Sequence, residues 1–226
     1  MIIIAIDGPA GSGKTTIATG LAKRLGLAKV DTGAIYRAAA FLAQRLRVDF
    51  EDEDALAELA ARMRTSLRVD GETRKYLLDG EDVTEKIRRP EVSAAASKLS
   101  AWPKVRAMLL DLQRELALNS GTKGAVLEGR DIGTVVFPDA DVKLFLTASA
   151  EERARRRFQE LKGKGLDVEW EQVAADQAAR DEQDSSRPVA PLAPAKDATV
   201  FDSTGMEVEE VLDGLEKLVK GRIQEM

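Results

Sequence analysis

The chain of 226 residues contains neither cysteine nor histidine. The lack of cysteine excludes disulfides and thiolate nucleophiles, and the two absences together exclude Cys/His zinc sites and histidine acid–base catalysis. Any catalysis must therefore use other polar side chains or the backbone, with a metal held by oxygen ligands. Phosphoryl transfer is compatible with this limited set, because positioning and charge stabilisation do most of its work.

Long apolar runs and an excess of positive charge are also missing. No apolar run approaches ~18 residues, so we expect no segment to span a membrane. The net charge is −5 and the sequence pI is near 5.1, which argues against a nucleic-acid or anionic-membrane partner. The first residues are typical of a strand and not of a signal peptide, so the cytoplasm is the expected location.

The chain is organised around the stretch 2–16, IIIAIDGPAGSGKTT. Its apolar start predicts a strand buried on both faces, and the following GPAGSGKT matches the Walker A pattern in its required strand–loop–helix context. Glycines let the backbone curl round a phosphate with its N–H groups pointing inward, and the next helix adds the positive end of its dipole. The sequence therefore predicts a nucleoside triphosphate site formed by Gly8, Pro9, Ala10, Gly11, Ser12, Gly13, Lys14, Thr15 and Thr16.

Two side chains of this loop have a specific chemistry. Lys14 can reach the β- and γ-phosphates of a nucleotide, and the hydroxyl of Thr15 can hold Mg²⁺. An ordinary glycine-rich turn is the alternative interpretation. The agreement of the loop and both flanking elements with the pattern favours the nucleotide site.

The remainder of the chain alternates short apolar strands with helices that carry apolar stripes. Strands are predicted at 2–6, 27–30, 125–128, 142–146 and 199–202. Strands joined through helices in this way predict an α/β fold of three layers, with a central five-stranded parallel sheet. Thr32 is the expected cap of the second helix, and Ser149 with Glu152 forms a capping box before a basic helix.

The stretch 66–83 interrupts this alternation. Its turn dipeptides, Asp70-Gly71 and Asp79-Gly80, separate short strand-like runs and predict a small antiparallel insertion.

Polar residues follow three of the predicted strands, in the segments 7–8, 31–33 and 129–131. In parallel sheets, ligands sit at the carboxyl ends of the strands. We therefore expect the three loops to converge on one cleft.

Five segments together resemble the bacterial cytidylate (CMP) kinases, members of the P-loop nucleoside monophosphate kinases. They are IDGPAGSGKTT, DTGAIYRA, LEGRDIGTVVFPDA, SAEERARRR and RDEQDSSRPVAPL. The resemblance covers nearly the whole chain and implies transfer of the γ-phosphoryl group of ATP to CMP or dCMP, with Mg²⁺. We expect a monomer with a single domain over 1–226. The parts of that domain are a core at about 1–32, 104–152 and 188–226, a monophosphate-binding lobe with the antiparallel insert at about 33–103, and a mobile lid at about 153–187.

The resemblance also implies roles for individual residues. The arginines expected on the CMP phosphate are Arg37, Arg130 and Arg187. The residues expected to recognise cytosine are Ser97, Arg106 and Asp131, and those expected on the ribose are Arg180 and Asp184. The expected lid arginines are Arg153, Arg156 and Arg157.

Catalysis is implied for Lys14, Arg130, Arg187, Arg153 and Arg157. Thr32 lies where the family often has serine beside the acceptor, and Gln183 stands where some relatives carry a further basic residue.

The chemistry of this reaction agrees with these residue types. A phosphate acceptor needs no catalytic base, but two phosphate groups pushed together must be neutralised, and arginine is permanently charged and can fork onto phosphate oxygens. A carboxylate such as Asp131 can accept a hydrogen bond from the amine of cytosine and would repel the carbonyl of uracil.

Considered singly, several of these residues have plainer interpretations. Arg37 alone indicates a solvated charge, and the EERARRR helix indicates a solvated face. Arg180 and Asp184, four residues apart, indicate a weak surface pair.

Two other functions fit a Walker A loop. A GTPase switch needs an Asn-Lys-x-Asp motif, but the only asparagine, Asn119, is followed by Ser120. A kinase acting on UMP or on a small hydroxyl substrate remains an alternative; the hydroxyl reaction would use an aspartate as base, and Asp31 could serve.

Overall fold

The computed structural model describes residues 1–70 and 75–224, which form eight strands and eight α-helices. The strands are β1 (Ile2–Asp7), β2 (Ala28–Asp31), β3 (Leu67–Val69), β4 (Tyr76–Leu78), β5 (Glu81–Asp82), β6 (Gly124–Gly129), β7 (Val142–Thr147) and β8 (Thr199–Asp202). The helices are α1 (Lys14–Leu25), α2 (Thr32–Leu46), α3 (Glu53–Ser66), α4 (Pro90–Leu99), α5 (Pro103–Leu118), α6 (Ala150–Gly163), α7 (Trp170–Ser186) and α8 (Val208–Gln224).

The main sheet has the strand order β2-β6-β1-β7-β8, and all of its pairings are parallel. β1 lies at its centre because every residue of this strand is apolar except the last, so both of its faces can be buried. Ile4 and Ile6 pack under α1 and α8 on one face, whereas Ile3 and Ala5 contribute to a core on the opposite face. The predicted three-layer α/β fold with a five-stranded parallel sheet is confirmed.

A further hydrophobic cluster lies outside the main sheet. It joins α2, α3, α4 and α5 to the antiparallel sheet β3-β4-β5, with Ile35, Leu56 and Leu78 fully buried. The predicted antiparallel insertion is therefore present. Asp79 and Gly80 both adopt positive φ in the turn between β4 and β5. The other predicted turn, at Asp70-Gly71, lies partly outside the described residues.

The start of α2 differs from the prediction. Asp31, not Thr32, caps the helix, because its carboxylate accepts a hydrogen bond from the backbone N–H of Ala34 at 2.9 Å. Thr32 is the first helical residue, and its hydroxyl instead donates to the carbonyl of Glu128 at 2.8 Å. Both residue types can cap a helix, so the sequence alone did not distinguish them.

The turn between β1 and α1 depends on close approach to a neighbouring strand. At Gly8, with φ of 152°, a Cβ atom would come within 2.0 Å of the carbonyl oxygen of Leu146 on β7. Only glycine allows this contact, which places the Walker A loop directly against the end of the sheet.

Across the described parts of the chain, we find no helix with the length and apolar character that a bilayer crossing requires.

Replacing Leu215 with alanine should lower the free energy of unfolding by about 2–5 kcal/mol, because this fully buried side chain joins α8 to the sheet. Leu218 on the same helix is 37% exposed, so Leu218→Ala should change stability by no more than about 0.5 kcal/mol. Urea unfolding of both variants measures the difference, and equal losses would contradict the packing of α8 described above.

Candidate active site

A cavity of about 860 Å³ lies at the carboxyl ends of the parallel strands. The loop after β1, the start of α2 and the end of β6 all line it, so the three predicted loops do converge. A smaller cavity of about 100 Å³ adjoins it, and the two share Gly33, Arg37, Ser93, Gly129, Arg130 and Arg180. The arrangement is a large site and a small site that meet at a group of arginines.

The Walker A loop forms one wall of the large cavity, which residues 10–17 line directly. The ammonium group of Lys14 donates to the carbonyl of Pro9 at 2.6 Å and is 3.3 Å from the hydroxyl of Ser12. Burial and the nearby charge of Arg130 hold the pKa of Lys14 well below its usual value. An anion bound here would relieve this electrostatic cost, as expected of a phosphate site.

Thr15 contacts a carboxylate that the sequence reasoning missed. Its hydroxyl donates to Oε2 of Glu128 at 2.7 Å, and the ammonium group of Lys29 lies 2.8 Å from Oε1 of the same carboxylate. Burial and the charge of Asp31 raise the pKa of Glu128. The sequence predicts strands for Glu128 and Lys29 and no further role. The available signal for Glu128 is that it is the one charged residue in the otherwise apolar strand predicted at 125–128.

Asp184 is a buried carboxylate shared by two of the expected phosphate-binding arginines. Arg130 donates to it through Nε at 2.8 Å, and Nη1 of Arg187 lies 3.7 Å from its other oxygen. Although burial opposes ionisation, the charge of Arg130 lowers the pKa of Asp184. The interpretation of Arg180 and Asp184 as a weak surface pair is wrong, because Asp184 is only 6% exposed and pairs with other arginines.

Arg180 lines both cavities, and burial together with the charge of Arg130 lowers its pKa to about 10. The junction of the two sites therefore holds cations that repel one another.

Asp131 forms a buried ion pair with Arg106 at 2.5 Å. The same guanidinium donates to the carbonyl of Ser100 at 3.1 Å and lies 5.4 Å from the ring centroid of Tyr36. The neighbouring Arg130 turns towards Asp184, so consecutive residues at the end of β6 serve different partners. Asp131 therefore presents a carboxylate, held by Arg106, at the wall of the small cavity.

Thr32 and Ser97 also line the small cavity. The hydroxyl of Ser97 on α4 donates to the side-chain carbonyl of Gln183 on α7 at 2.9 Å, and the Gln183 amide lies 3.3 Å from the backbone carbonyl of Ser97. Gln183 thus links the two helices that flank this cavity.

Arg37 pairs with Asp31 at 2.9 Å and is only partly exposed, so its interpretation as a solvated charge is wrong.

The basic helix α6 also lines the large cavity, through residues that include Arg155, Arg156 and Arg157. Arg153 is buried and donates to the carbonyls of Ala148 and Ala10, each at 3.0 Å, while it pairs with Asp181 of α7. Its guanidinium therefore ties α6 and α7 to the Walker A loop.

Other α6 arginines differ in their contacts. Arg156 donates to the carbonyl of Ser203 at 2.7 Å, whereas Arg157 pairs with Glu160 and lines the cavity. The solvated-face interpretation of α6 is wrong for Arg153 and Arg156; among the arginines of this helix it describes Arg155, whose side chain is half exposed.

Asp7 is a second carboxylate that the sequence reasoning did not single out as a positioning group. Its oxygens accept hydrogen bonds from the backbone N–H groups of Ile132 at 2.7 Å and Gly133 at 2.8 Å. These donors begin a π-helical turn at Ile132–Val136, directly after Asp131. Burial raises the pKa of Asp7 to about 6. The carboxylate fixes the end of β6 relative to the Walker A loop.

Comparisons with known proteins agree with this geometry. The family model described as cytidylate kinase matches residues 4–221. Among curated proteins, the chain is 50% identical over 221 residues to a cytidylate kinase of Geobacter sulfurreducens, with 98% of this chain and 94% of the relative covered. It is 48% identical over 221 residues to a cytidylate kinase of Desulfitobacterium hafniense, with the same coverage.

Among solved structures, an uncharacterised protein from Eubacterium ventriosum matches with a TM-score of 0.53 at 13% identity. That match covers 97% of this chain and 99% of the other, and it supports the fold alone. The family match extends from the first strand, through the Walker A loop and the arginine junction, to the last helix. This chain therefore belongs to the cytidylate kinase family.

Proposed function

We propose that this chain transfers the γ-phosphoryl group of ATP to CMP and dCMP, giving ADP and CDP or dCDP. The observation that carries the proposal is the meeting of a Walker A cavity and a smaller cavity at shared arginines, with a carboxylate held in the smaller one. The relatives named cytidylate kinase over nearly the whole chain support the same substrate class.

The large cavity is proposed to bind ATP. Backbone N–H groups of the loop 8–16, apart from Pro9, which has none, surround the phosphates, and Lys14 moves from the Pro9 carbonyl to the β- and γ-phosphates. Arg157, which lines this cavity, approaches the same phosphates from α6 and stabilises the charge that spreads over the transferring group. Arg153 is proposed to join it by exchanging its contacts with the Ala10 carbonyl and Asp181 for phosphate oxygens. Their permanent charge suits a reaction that needs no acid or base.

The small cavity is proposed to bind the monophosphate. Its phosphate lies at the junction, where Arg37, Arg130 and Arg187 neutralise it, and Arg180 with Asp184 binds the ribose. Thr32 lies beside the acceptor. The carboxylate of Asp131 accepts a hydrogen bond from the cytosine amine, while Arg106 holds this carboxylate in place and Ser97 contributes a hydroxyl.

Mg²⁺ is proposed to bind beside the Walker A loop. Within the described residues, no cluster of three acidic side chains could hold a metal, but Mg²⁺ in kinases takes most of its ligands from phosphates and water. The hard oxygens of Thr15 and Glu128, 2.7 Å apart, fit this requirement and would supply its protein contacts. When bound, the ion neutralises phosphate charge.

The hydroxyl-substrate alternative is disfavoured by the environment of Asp31. One of its oxygens caps α2, and the other pairs with Arg37. Despite burial, the charges of Arg37 and Lys29 lower the pKa of Asp31, which makes it a poor base. The UMP alternative differs only in the base and is decided by the Asp131 experiment below.

The domain parts are proposed to move as in nucleotide kinases. The core comprises about 1–32, 104–152 and 188–226, the monophosphate-binding lobe about 33–103, and the lid about 153–187. We propose that the enzyme acts as a monomer in the cytoplasm, on small molecules and without nucleic acid or membrane.

Lys14→Ala should abolish turnover while leaving the fold intact. The loss of transition-state charge stabilisation should cost roughly 3 kcal/mol or more, about a hundredfold in kcat. Lys23→Ala, at an exposed position on the same helix, is the matched control and should keep wild-type activity. A coupled ADP-release assay with CMP measures both variants. Near-normal turnover by Lys14→Ala would remove the Walker A loop from the mechanism.

Replacing Asp131 should shift base selection. Asp131→Ala should cost roughly 1.5–3 kcal/mol in kcat/KM for CMP, because a charge-assisted hydrogen bond is lost. UMP should lose less or gain, so the CMP/UMP ratio should fall by about one to two orders of magnitude. Asp131→Asn keeps the size of the side chain beside buried Arg106 and should lower the ratio in the same direction.

Assays of both variants with CMP and UMP, after their thermal unfolding has been compared with wild type, provide this test. If both substrates lost activity in equal proportion, Asp131 would only brace Arg106, and base recognition would rest on Ser97 and Arg106.

The lid should become more protected when nucleotides bind. Closure over the phosphates excludes water that would otherwise compete with CMP for the phosphoryl group. Hydrogen exchange across residues 153–186, with and without a bisubstrate analogue, should show slower exchange in the complex, while the buried strand β1 serves as an internal reference. Unchanged exchange in this segment would count against a lid.

A further inference from the structure

Gln177 on α7 carries a buried amide that lacks a hydrogen-bond partner. The residue is 5% exposed, lines the large cavity, and has an Nε2 atom with almost no exposed surface and no hydrogen-bond partner within the described parts of the chain. Buried amide donors in folded proteins are normally satisfied. An unsatisfied one at the wall of a ligand cavity indicates that the ligand supplies the acceptor.

The amide lies against the Walker A loop. Nε2 is 2.6 Å from the point where a Cβ atom on Gly11 would sit, and the backbone oxygen of Arg153 is 2.8 Å from the same point. Gly11 also adopts φ of 73°, so this position favours glycine for two reasons. The missing side chain at Gly11 leaves the space that the Gln177 amide occupies at the edge of the large cavity.

The position of Gln177 on its helix directs it towards the reacting groups. Val173, Gln177, Arg180 and Asp184 recur at spacings of three and four residues, so they share one face of α7. Arg180 and Asp184 lie at the small cavity, one and two turns beyond Gln177. Gln177 therefore sits between the phosphate loop and the arginines of the acceptor side.

The surrounding groups define the chemistry of the missing acceptor. The side chains that share the large cavity near the junction include Arg130, Arg157 and Arg180, which can only donate hydrogen bonds. The N–H groups of the loop are donors as well. Acidic side chains, among them Glu128, Glu152 and Glu160, line the same cavity, but none of them accepts a hydrogen bond from the amide of Gln177. A phosphate oxygen held by the surrounding donors would supply that acceptor.

A neutral donor suits this position better than another cation. Burial and the charge of Arg130 already lower the pKa of Arg180 to about 10 and that of Lys14 well below its usual value. An amide adds a hydrogen bond to a phosphate oxygen without increasing the repulsion among the cations.

We propose that Gln177 is a phosphate-binding residue whose side-chain amide donates a hydrogen bond to the γ-phosphoryl group, between the Walker A loop and the acceptor site. The proposal rests on the proposed function, because it assigns the outermost phosphate of the donor nucleotide to this point. Gln177 discriminates a nucleoside triphosphate from a diphosphate, and it holds the group that is transferred.

The test compares the binding of the Mg²⁺ complexes of ADP and of the non-transferable β,γ-imido analogue of ATP, by titration calorimetry. Gln177→Leu should weaken binding of the analogue by about tenfold or more, since a hydrogen bond to a charged group is lost, and should leave ADP affinity unchanged. Gln177→Glu should weaken analogue binding further, because it adds a negative charge beside the phosphate. Gln172, which is exposed on the same helix and bonds to Asp176, provides the controls Gln172→Leu and Gln172→Glu. Both should bind like wild type.

Thermal unfolding without nucleotide separates binding from a structural role. Gln177→Leu removes an unsatisfied buried donor, so its Tm should equal or exceed that of wild type. Unchanged affinity for both nucleotides would overturn the proposal, as would an equal loss for both with a lower Tm. Neither measurement requires CMP or another phosphoryl acceptor. An absence of CMP phosphorylation would therefore refute the proposed function, while the binding and unfolding data would still test the role of Gln177.

Discussion

The site depends on keeping several cations close together inside the protein. Lys14, Arg130, Arg180 and Arg187 lie around the junction of the two cavities, where burial and mutual repulsion lower the pKa of three of them. Such a cluster is stable only if anions are interleaved with the cations. Asp184 fills this role between Arg130 and Arg187, and it holds both guanidinium groups before any ligand binds.

The same arrangement repeats around the cleft, where individual acidic groups have particular cationic partners. Asp31 pairs with Arg37, Asp131 with Arg106, and Glu128 with Lys29. The side chains are therefore fixed before substrates arrive, and little reorganisation is needed when phosphate charge enters the cleft. The protein as a whole is acidic, with a net charge of −5, yet cations are concentrated at its cleft. Whether an anion can bind there depends on this local arrangement of charge and not on the net charge.

The sequence was sufficient for features that depend on local pattern. The Walker A loop, the parallel sheet and the antiparallel insertion follow from apolar periodicity and glycine spacing within short windows. The partners of charged side chains could not be predicted in this way. Arg106 meets Asp131 across 25 positions, and Glu128 meets Thr15 across 113, so each pair exists only after the chain has folded. Gln177 shows the same limit, since nothing in the composition of α7 distinguishes it from an exposed glutamine.

The two halves of the site are built by different means. In the proposed function, the donor nucleotide is bound mainly by backbone groups in the loop after β1, the central strand, where Gly8 has no room for a side chain against β7. The acceptor is proposed to be bound by side chains from α2, α4, α5 and α7 and from the residues just after β6, which lie outside the strands of the main sheet. Substitutions in the second group leave strand pairing intact. A lineage with this architecture can therefore acquire a new acceptor through a few side-chain changes while its nucleotide loop and its folded scaffold stay the same.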